Sequence, residues 1–96
     1  MKVQDLLGDR REEILRIARK HGVRRIFVFG SVARGEDTEG SDIDFLVEPG
    51  EETGPWFPVG LVEELRELLG RPVDVVTEDS LHWLLRRRIL REARPL

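Results

Sequence analysis

The fold of this chain is decided by Phe29-Gly30-Ser31-Val32-Ala33-Arg34-Gly35-Glu36 and then by Ser41-Asp42-Ile43-Asp44-Phe45-Leu46-Val47. The run 26–29 is apolar and β-prone, which predicts a central strand covered on both faces, and residues 42–47 alternate as a second strand does. Because side chains at i and i+2 of a strand share a face, Asp42 and Asp44 should present two carboxylates beside the Gly-Ser turn. Oxygen ligands of this kind suit Mg²⁺, which usually arrives with substrate phosphates.

A third aspartate, Asp74, lies within another apolar run that predicts a buried strand over residues 73–77. An isolated buried carboxylate is costly, so we expect Asp74 to join Asp42 and Asp44 in a cluster that can hold two Mg²⁺ ions. Like charges on one face of a strand repel unless a cation lies between them, which favours a metal. The alternative is a salt bridge from Asp74 to an arginine such as Arg71.

The Gly30-Ser31 pair predicts a turn whose backbone a ligand can approach, and N–H groups at the start of a following helix favour an anion. Arg34 would lie on the same side of that helix and could reach a phosphate oxygen. An ordinary turn and a solvent-exposed arginine are the simpler alternatives. The stretch is not a Walker A loop, because no Gly-Lys-Ser/Thr follows.

The remaining segments predict an α/β fold in a single domain, residues 1–96, with the element order α-β-(short α)-β-α-β-α and a small, mostly three-stranded mixed sheet flanked by helices. Asp9 should cap a helix over residues 9–21. Residues 48–58 are a loop by composition, and a helix should run from Pro58 to Leu69. Asp79 or Ser80 should cap a basic helix, about residues 80–93, whose leucines pack inward.

Charge is unevenly distributed along the chain, whose net charge is −3. Residues 81–96 hold five arginines against one glutamate, which is usually a solvated helix face and otherwise a contact for an anionic partner. No apolar run has the length of a membrane span and no signal segment is recognisable, so we expect a cytoplasmic protein. The absence of cysteine excludes disulfides and thiolate metal sites.

Taken together, Gly30-Ser31-x-Ala33-Arg34-Gly35-Glu36, Ser41-Asp42-Ile43-Asp44 and Val73-Asp74-Val75-Val76 resemble the motifs of the minimal nucleotidyltransferases of the DNA polymerase β superfamily. The resemblance covers about residues 23–78. It implies that Asp42 and Asp44 bind two Mg²⁺ ions and that Asp74 completes the catalytic site near the attacking hydroxyl. It also implies that Gly30 and Ser31 hold the β- and γ-phosphates of a nucleoside triphosphate, with Arg34 nearby.

Minimal members of this family are commonly paired with a small all-helical HEPN protein in a toxin–antitoxin module. The resemblance therefore implies an antitoxin in a hetero-oligomer, which moves AMP from ATP to a partner's tyrosine and releases pyrophosphate. The chain has no tyrosine of its own to modify. One alternative is a non-catalytic, nucleotide-binding antitoxin that covers its partner with residues 81–96 or with the Trp56-Phe57 loop. A weaker alternative is nucleotidyl transfer to RNA ends, held by the arginine-rich helix.

Overall fold

Four strands and five helices follow one another in a computed structural model that describes residues 3–38 and 40–96. In chain order the elements are α1 (Val3–Asp9), α2 (Arg11–Lys20), β1 (Val23–Phe29), α3 (Ser31–Arg34), β2 (Ile43–Pro49), α4 (Val59–Leu69), β3 (Val73–Thr77), a 3₁₀ turn (Glu78–Ser80), α5 (Trp83–Glu92) and β4 (Arg94–Pro95). The expected alternation of helices and strands is confirmed, including the short helix directly after Gly30.

The strands form one mixed sheet in the order β3-β2-β1-β4. β1 runs antiparallel to β2 and to β4, whereas β2 and β3 are parallel. The mixed sheet is as predicted, but its fourth strand was not. β4 has two residues and is held by pairing with β1, with a further bond from the Leu96 N–H to the Ile26 carbonyl at 3.1 Å.

Helices cover one face of this sheet and form the core with it. On β2, Ile43, Phe45 and Val47 point to this face and are fully buried. α2 contributes Ile14 and Ala18, and α4 contributes its leucine stripe at i, i+4 and i+8. The leucines of that stripe are Leu61, Leu65 and Leu69.

The opposite face of the sheet is open at its ends, although Leu46 is buried in its middle, and this corrects two expectations. β1 is not covered on both faces, because Arg25 is exposed and Phe27 and Phe29 are only partly buried. Asp74 is exposed rather than buried, because β3 is an edge strand and Asp74 points away from the helices. The argument from an expensive buried charge at Asp74 therefore does not apply.

Two predicted helix starts were wrong. Asp9 ends α1 rather than capping a helix over residues 9–21, since Val3 and Leu7 give the first residues an apolar face of their own. The hydroxyl of Ser80 is engaged within the 3₁₀ turn, where it donates to the Thr77 carbonyl at 2.8 Å. The last helix consequently begins at Trp83, with His82 as its N-cap. Among the described residues, none of the helices has the length and apolar character needed to cross a membrane.

Candidate active site

Three carboxylates lie together at one end of the open face. Asp44 on β2 pairs in register with Asp74 on β3, so the two side chains are neighbours across parallel strands. Asp42 lies immediately before β2 begins at Ile43. Asp42 and Asp74 are exposed, and Asp44 is half-buried between them. The register agrees with the prediction that Asp44 and Asp74 are neighbours, whereas Asp42 lies just outside the strand on which it was predicted to share a face with Asp44.

The electrostatics of the group centre on Asp44. Burial raises the pKa of the Asp44 carboxyl above its ordinary value, and the negative charges of Asp74 and Asp42 raise it further. Of the groups that shift the pKa of Asp44, only Arg34 lowers it. The site therefore concentrates negative charge that Arg34 offsets only in part.

Neither an ion pair nor a ready-made metal cage accounts for these carboxylates within residues 3–38 and 40–96. In that part of the chain Asp42, Asp44 and Asp74 form no salt bridge, and no three acidic or histidine side chains converge tightly enough to ligate an ion on their own. The proposed partner Arg71 is occupied elsewhere. Its Nη2 donates to the carbonyls of Thr38 and Ser41 at 2.9 and 2.8 Å, directly before Asp42.

Gly30 lies against Asp44 and requires glycine for two reasons. Its φ of +76° lies in the region that other residues rarely adopt. A Cβ at this position would come within 2.5 Å of Asp44 Oδ2. The Gly-Ser turn therefore brings bare backbone next to the carboxylate group, and Ser31 begins α3 immediately afterwards.

Arg34, at the end of α3, is held by two carboxylates. Its Nε donates to Glu36 Oε2 and its Nη1 to Glu92 Oε2, both at 3.0 Å. Glu92 belongs to α5 and also accepts from Arg88 Nε at 3.2 Å. Sequence reasoning placed Arg34 correctly beside the turn but missed Glu92, which is 58 residues away and has no local signal.

The C-terminal helix α5 exposes apolar residues that were predicted to pack inward. Ile89 is buried, but Trp83, Leu84, Leu85 and Leu90 are between 45% and 68% exposed instead of packing inward. The basic charge of the helix is partly neutralised within the chain. Arg86 lies 3.5 Å from Glu78 and 3.9 Å from Asp79, and Arg88 pairs with Glu92.

A family model described as "Nucleotidyltransferase domain" matches residues 11–96. Protein adenylyltransferase MJ0435 of Methanocaldococcus jannaschii, which carries that name provisionally, is 49% identical over 87 residues, covering 91% of this chain and 94% of its own. Protein adenylyltransferase MntA of Thermococcus cleftensis is 37% identical over 91 residues, covering 95% of this chain and 89% of its own. The chain belongs to the nucleotidyltransferase domain family. Within that family it is a minimal nucleotidyltransferase, an enzyme whose relatives are named protein adenylyltransferases.

Solved structures agree with this assignment. A protein provisionally described as a minimal nucleotidyltransferase superposes with a TM-score of 0.86 and 45% identity, covering 100% of this chain and 97% of its own. A toxin–antitoxin structure containing AMP-PNP superposes with a TM-score of 0.74 and 23% identity, covering 88% of this chain and 69% of that one. The second likeness, at this low identity, shows a shared fold.

Proposed function

We propose that this nucleotidyltransferase transfers AMP from ATP to a hydroxyl of a partner protein and thereby acts as an antitoxin in the cytoplasm. The observation that carries the proposal is the carboxylate group on the open sheet face. Asp44 and Asp74 are paired in register with Asp42 beside them, and none of the three forms a salt bridge within the described residues. Such a group is unfavourable by itself and becomes favourable with divalent cations and phosphate.

The donor set fits Mg²⁺. Asp42, Asp44 and Asp74 offer hard carboxylate oxygens, and Asp42 and Asp74 are exposed, so their side chains have room to turn towards an ion. Burial raises the pKa of Asp44, and the charges of Asp74 and Asp42 raise it further, so a cation at this point would favour the ionised carboxylate. When bound, Mg²⁺ would neutralise the phosphates and make the attacking hydroxyl more acidic.

The protein's own residues then have separate roles. Gly30 and Ser31 present backbone to the β- and γ-phosphates, since no side chain separates Gly30 from the carboxylates. Arg34 adds positive charge beside them. The acceptor oxygen forms a bond to the α-phosphorus while the bond to the bridging oxygen breaks, which releases pyrophosphate. Asp74, at the exposed edge of the group, receives the proton of the hydroxyl.

The exposed apolar side chains of α5 support a protein partner. Trp83, Leu84 and Leu85 are each more than half exposed and together form the first turn of α5. Large apolar side chains grouped in this way are typical of protein interfaces. The structural neighbour that holds AMP-PNP is a toxin–antitoxin pair. We therefore propose a helical HEPN protein as both the partner that covers α5 and the acceptor of AMP, in a hetero-oligomer.

The direct test is transfer from ATP labelled at either the α- or the γ-phosphate to a purified HEPN partner, with Mg²⁺ present. Label from the α position alone, with equimolar pyrophosphate release, is expected. The Asp42→Asn/Asp44→Asn variant should lose more than about 99% of transfer while remaining folded. Label from the γ position would identify a kinase instead, and undiminished transfer by the variant would refute the proposed catalytic group.

A second candidate is neutralisation by complex formation without catalysis, and the exposed face of α5 favours it. In that case the Asp42→Asn/Asp44→Asn variant should still suppress the toxicity of the partner, whereas substitutions of Leu84 and Leu85 should abolish suppression. Transfer to RNA ends is less well supported, because Arg86 and Arg88 are paired with carboxylates in the chain. Its signature would be RNA binding that weakens steeply with salt.

A further inference from the structure

The C-terminal helix contributes a side chain to the neighbourhood of the proposed nucleotide site. Arg34 lies between two carboxylates, with Glu36 on its Nε and Glu92 on its Nη1, each at 3.0 Å. Its side chain is 34% exposed and that of Glu92 is 20% exposed, so this ion pair is partly shielded from solvent. Partly shielded charge-assisted bonds hold geometry better than freely exposed pairs do.

We propose that Glu92 is a positioning residue, which holds the guanidinium of Arg34 in the orientation that contacts the phosphates of a bound nucleoside triphosphate. The inference rests on the proposed function, in which Arg34 acts at the nucleotide. Guanidinium is a planar fork with five N–H donors. Bonds from Nε and Nη1 fix that plane, while Nη2 has no partner among the described residues and stays available to a phosphate oxygen.

Both residues of this ion pair lie close in sequence to strands of the sheet. α3, which carries Arg34, follows β1 directly, and Glu92 precedes β4 by two residues. Because β4 pairs with β1 through Phe27↔Pro95 and Val28↔Arg94, both partners are anchored to neighbouring strands of one sheet. Arg88 contacts the other oxygen of Glu92 at 3.2 Å, which leaves Oε2 for Arg34. A side chain fixed by such supports loses less entropy when its ligand binds.

The test measures nucleotide affinity separately from transfer. Titration calorimetry with Mg²⁺ and α,β-methylene-ATP, which cannot donate AMP, gives the dissociation constant for each variant. Glu92→Gln should weaken binding about fivefold, which corresponds to the loss of a positioning bond to an arginine. Glu92→Asp, which keeps the charge, should fall between Glu92→Gln and the unmodified protein.

Arg88→Met is the matched control, because it removes the other partner of Glu92 and leaves the bond to Arg34 in place. We expect Arg88→Met to bind the nucleotide as tightly as the unmodified protein does. Glu92→Gln should bind it more weakly, although Arg88→Met and Glu92→Gln both remove the ion pair between Arg88 and Glu92. Arg34→Met should weaken binding, and adding Glu92→Gln to it should change the affinity no further, because Glu92 acts through Arg34.

Three results would overturn the inference: unchanged affinity in Glu92→Gln, tighter binding in Glu92→Gln, or equal losses in Glu92→Gln and Arg88→Met. Tighter binding would mean that Glu92 competes with the phosphates for Arg34. Should Glu92→Gln not fold, the affinity of Glu92→Asp, compared with that of Arg88→Met, decides the question in its place. Failure of the proposed function appears differently, as nucleotide binding by the unmodified protein with no transfer to any acceptor. Absence of nucleotide binding would overturn both.

Discussion

Removing the charge of Asp44 should stabilise the metal-free protein and abolish its activity. Asp44 faces Asp74 across neighbouring strands, with Asp42 next to it. For carboxylates about 6 Å apart, repulsion amounts to about 0.7 kcal/mol at the dielectric constant of water and about 2.8 kcal/mol at an effective value of 20. Two of the three carboxylates are exposed, so the lower part of this range applies and Asp44→Asn should gain about 1 kcal/mol.

For a domain of this size, that gain corresponds to a rise of about 4 °C in Tm, measured by calorimetry in EDTA. The sign depends on pH. The pKa of Asp44 is raised, so the folded protein holds this proton more tightly than the unfolded chain does, and its stability falls as pH rises from the ordinary aspartate value through the raised one. The stability that Asp44→Asn gains over the unmodified protein should therefore be complete at pH values above the raised pKa. It should disappear at pH values below the ordinary aspartate pKa.

Mg²⁺ should reverse the order of the two Tm values, so that the unmodified protein melts above Asp44→Asn. Binding to the folded state raises the Tm of the unmodified protein with ion concentration, and Asp44→Asn should respond much less. Asp79→Asn is a suitable control, since Asp79 is fully exposed in the 3₁₀ turn and its loss should change stability by less than about 0.5 kcal/mol. A fall of several degrees for Asp44→Asn in EDTA would show that its carboxylate stabilises the fold, and the reasoning would be wrong.

Three further predictions concern the surroundings of the site. Gly30→Ala should lose about 1–3 kcal/mol of stability, measured by calorimetry, and most of its activity in the label-transfer assay. The reason is that the new Cβ would collide with Asp44 at a residue whose φ is positive, and a fully active variant would contradict this close approach. Arg71→Met should lower kcat more than about tenfold with a smaller change in KM for ATP, because the Thr38 and Ser41 carbonyls lose the donor that fixes the chain before Asp42; unchanged kcat would refute this role. Leu84→Asp should leave Tm within about 1 °C and abolish co-purification with the HEPN partner, and retained binding would exclude this face of α5.

Much of the site could be predicted from the chain alone because its signals are local. The alternation after Asp42 determines which face of β2 carries Asp44, and glycine at position 30 marks the turn that Asp44 approaches. The apolar run around Asp74 predicted a strand, and β3 formed there. Each of these signals depends on residues within a few positions of one another, where backbone periodicity decides the direction of a side chain.

The burial of Asp74 and the packing of α5 could not be predicted in this way. An apolar strand looks the same in sequence whether it lies at the centre or the edge of a sheet, and β3 is at the edge. The leucines of α5 have helical spacing, but spacing does not say whether the rest of the chain covers them. Most of them are exposed, and Ile89 alone is buried among the residues of this helix.

Local patterns in the chain predict the alternation of helices and strands from α2 to α5, the Gly-Ser turn, and one aspartate on each of two strands, Asp44 on β2 and Asp74 on β3. Tertiary structure alone decided that Asp44 and Asp74 lie side by side, that Arg71 fixes the segment before Asp42, and that Glu92 reaches Arg34. The physical reason is that periodicity fixes where a side chain points relative to its own backbone. Its neighbours depend on strand order and register, and these follow from packing the whole chain around one core.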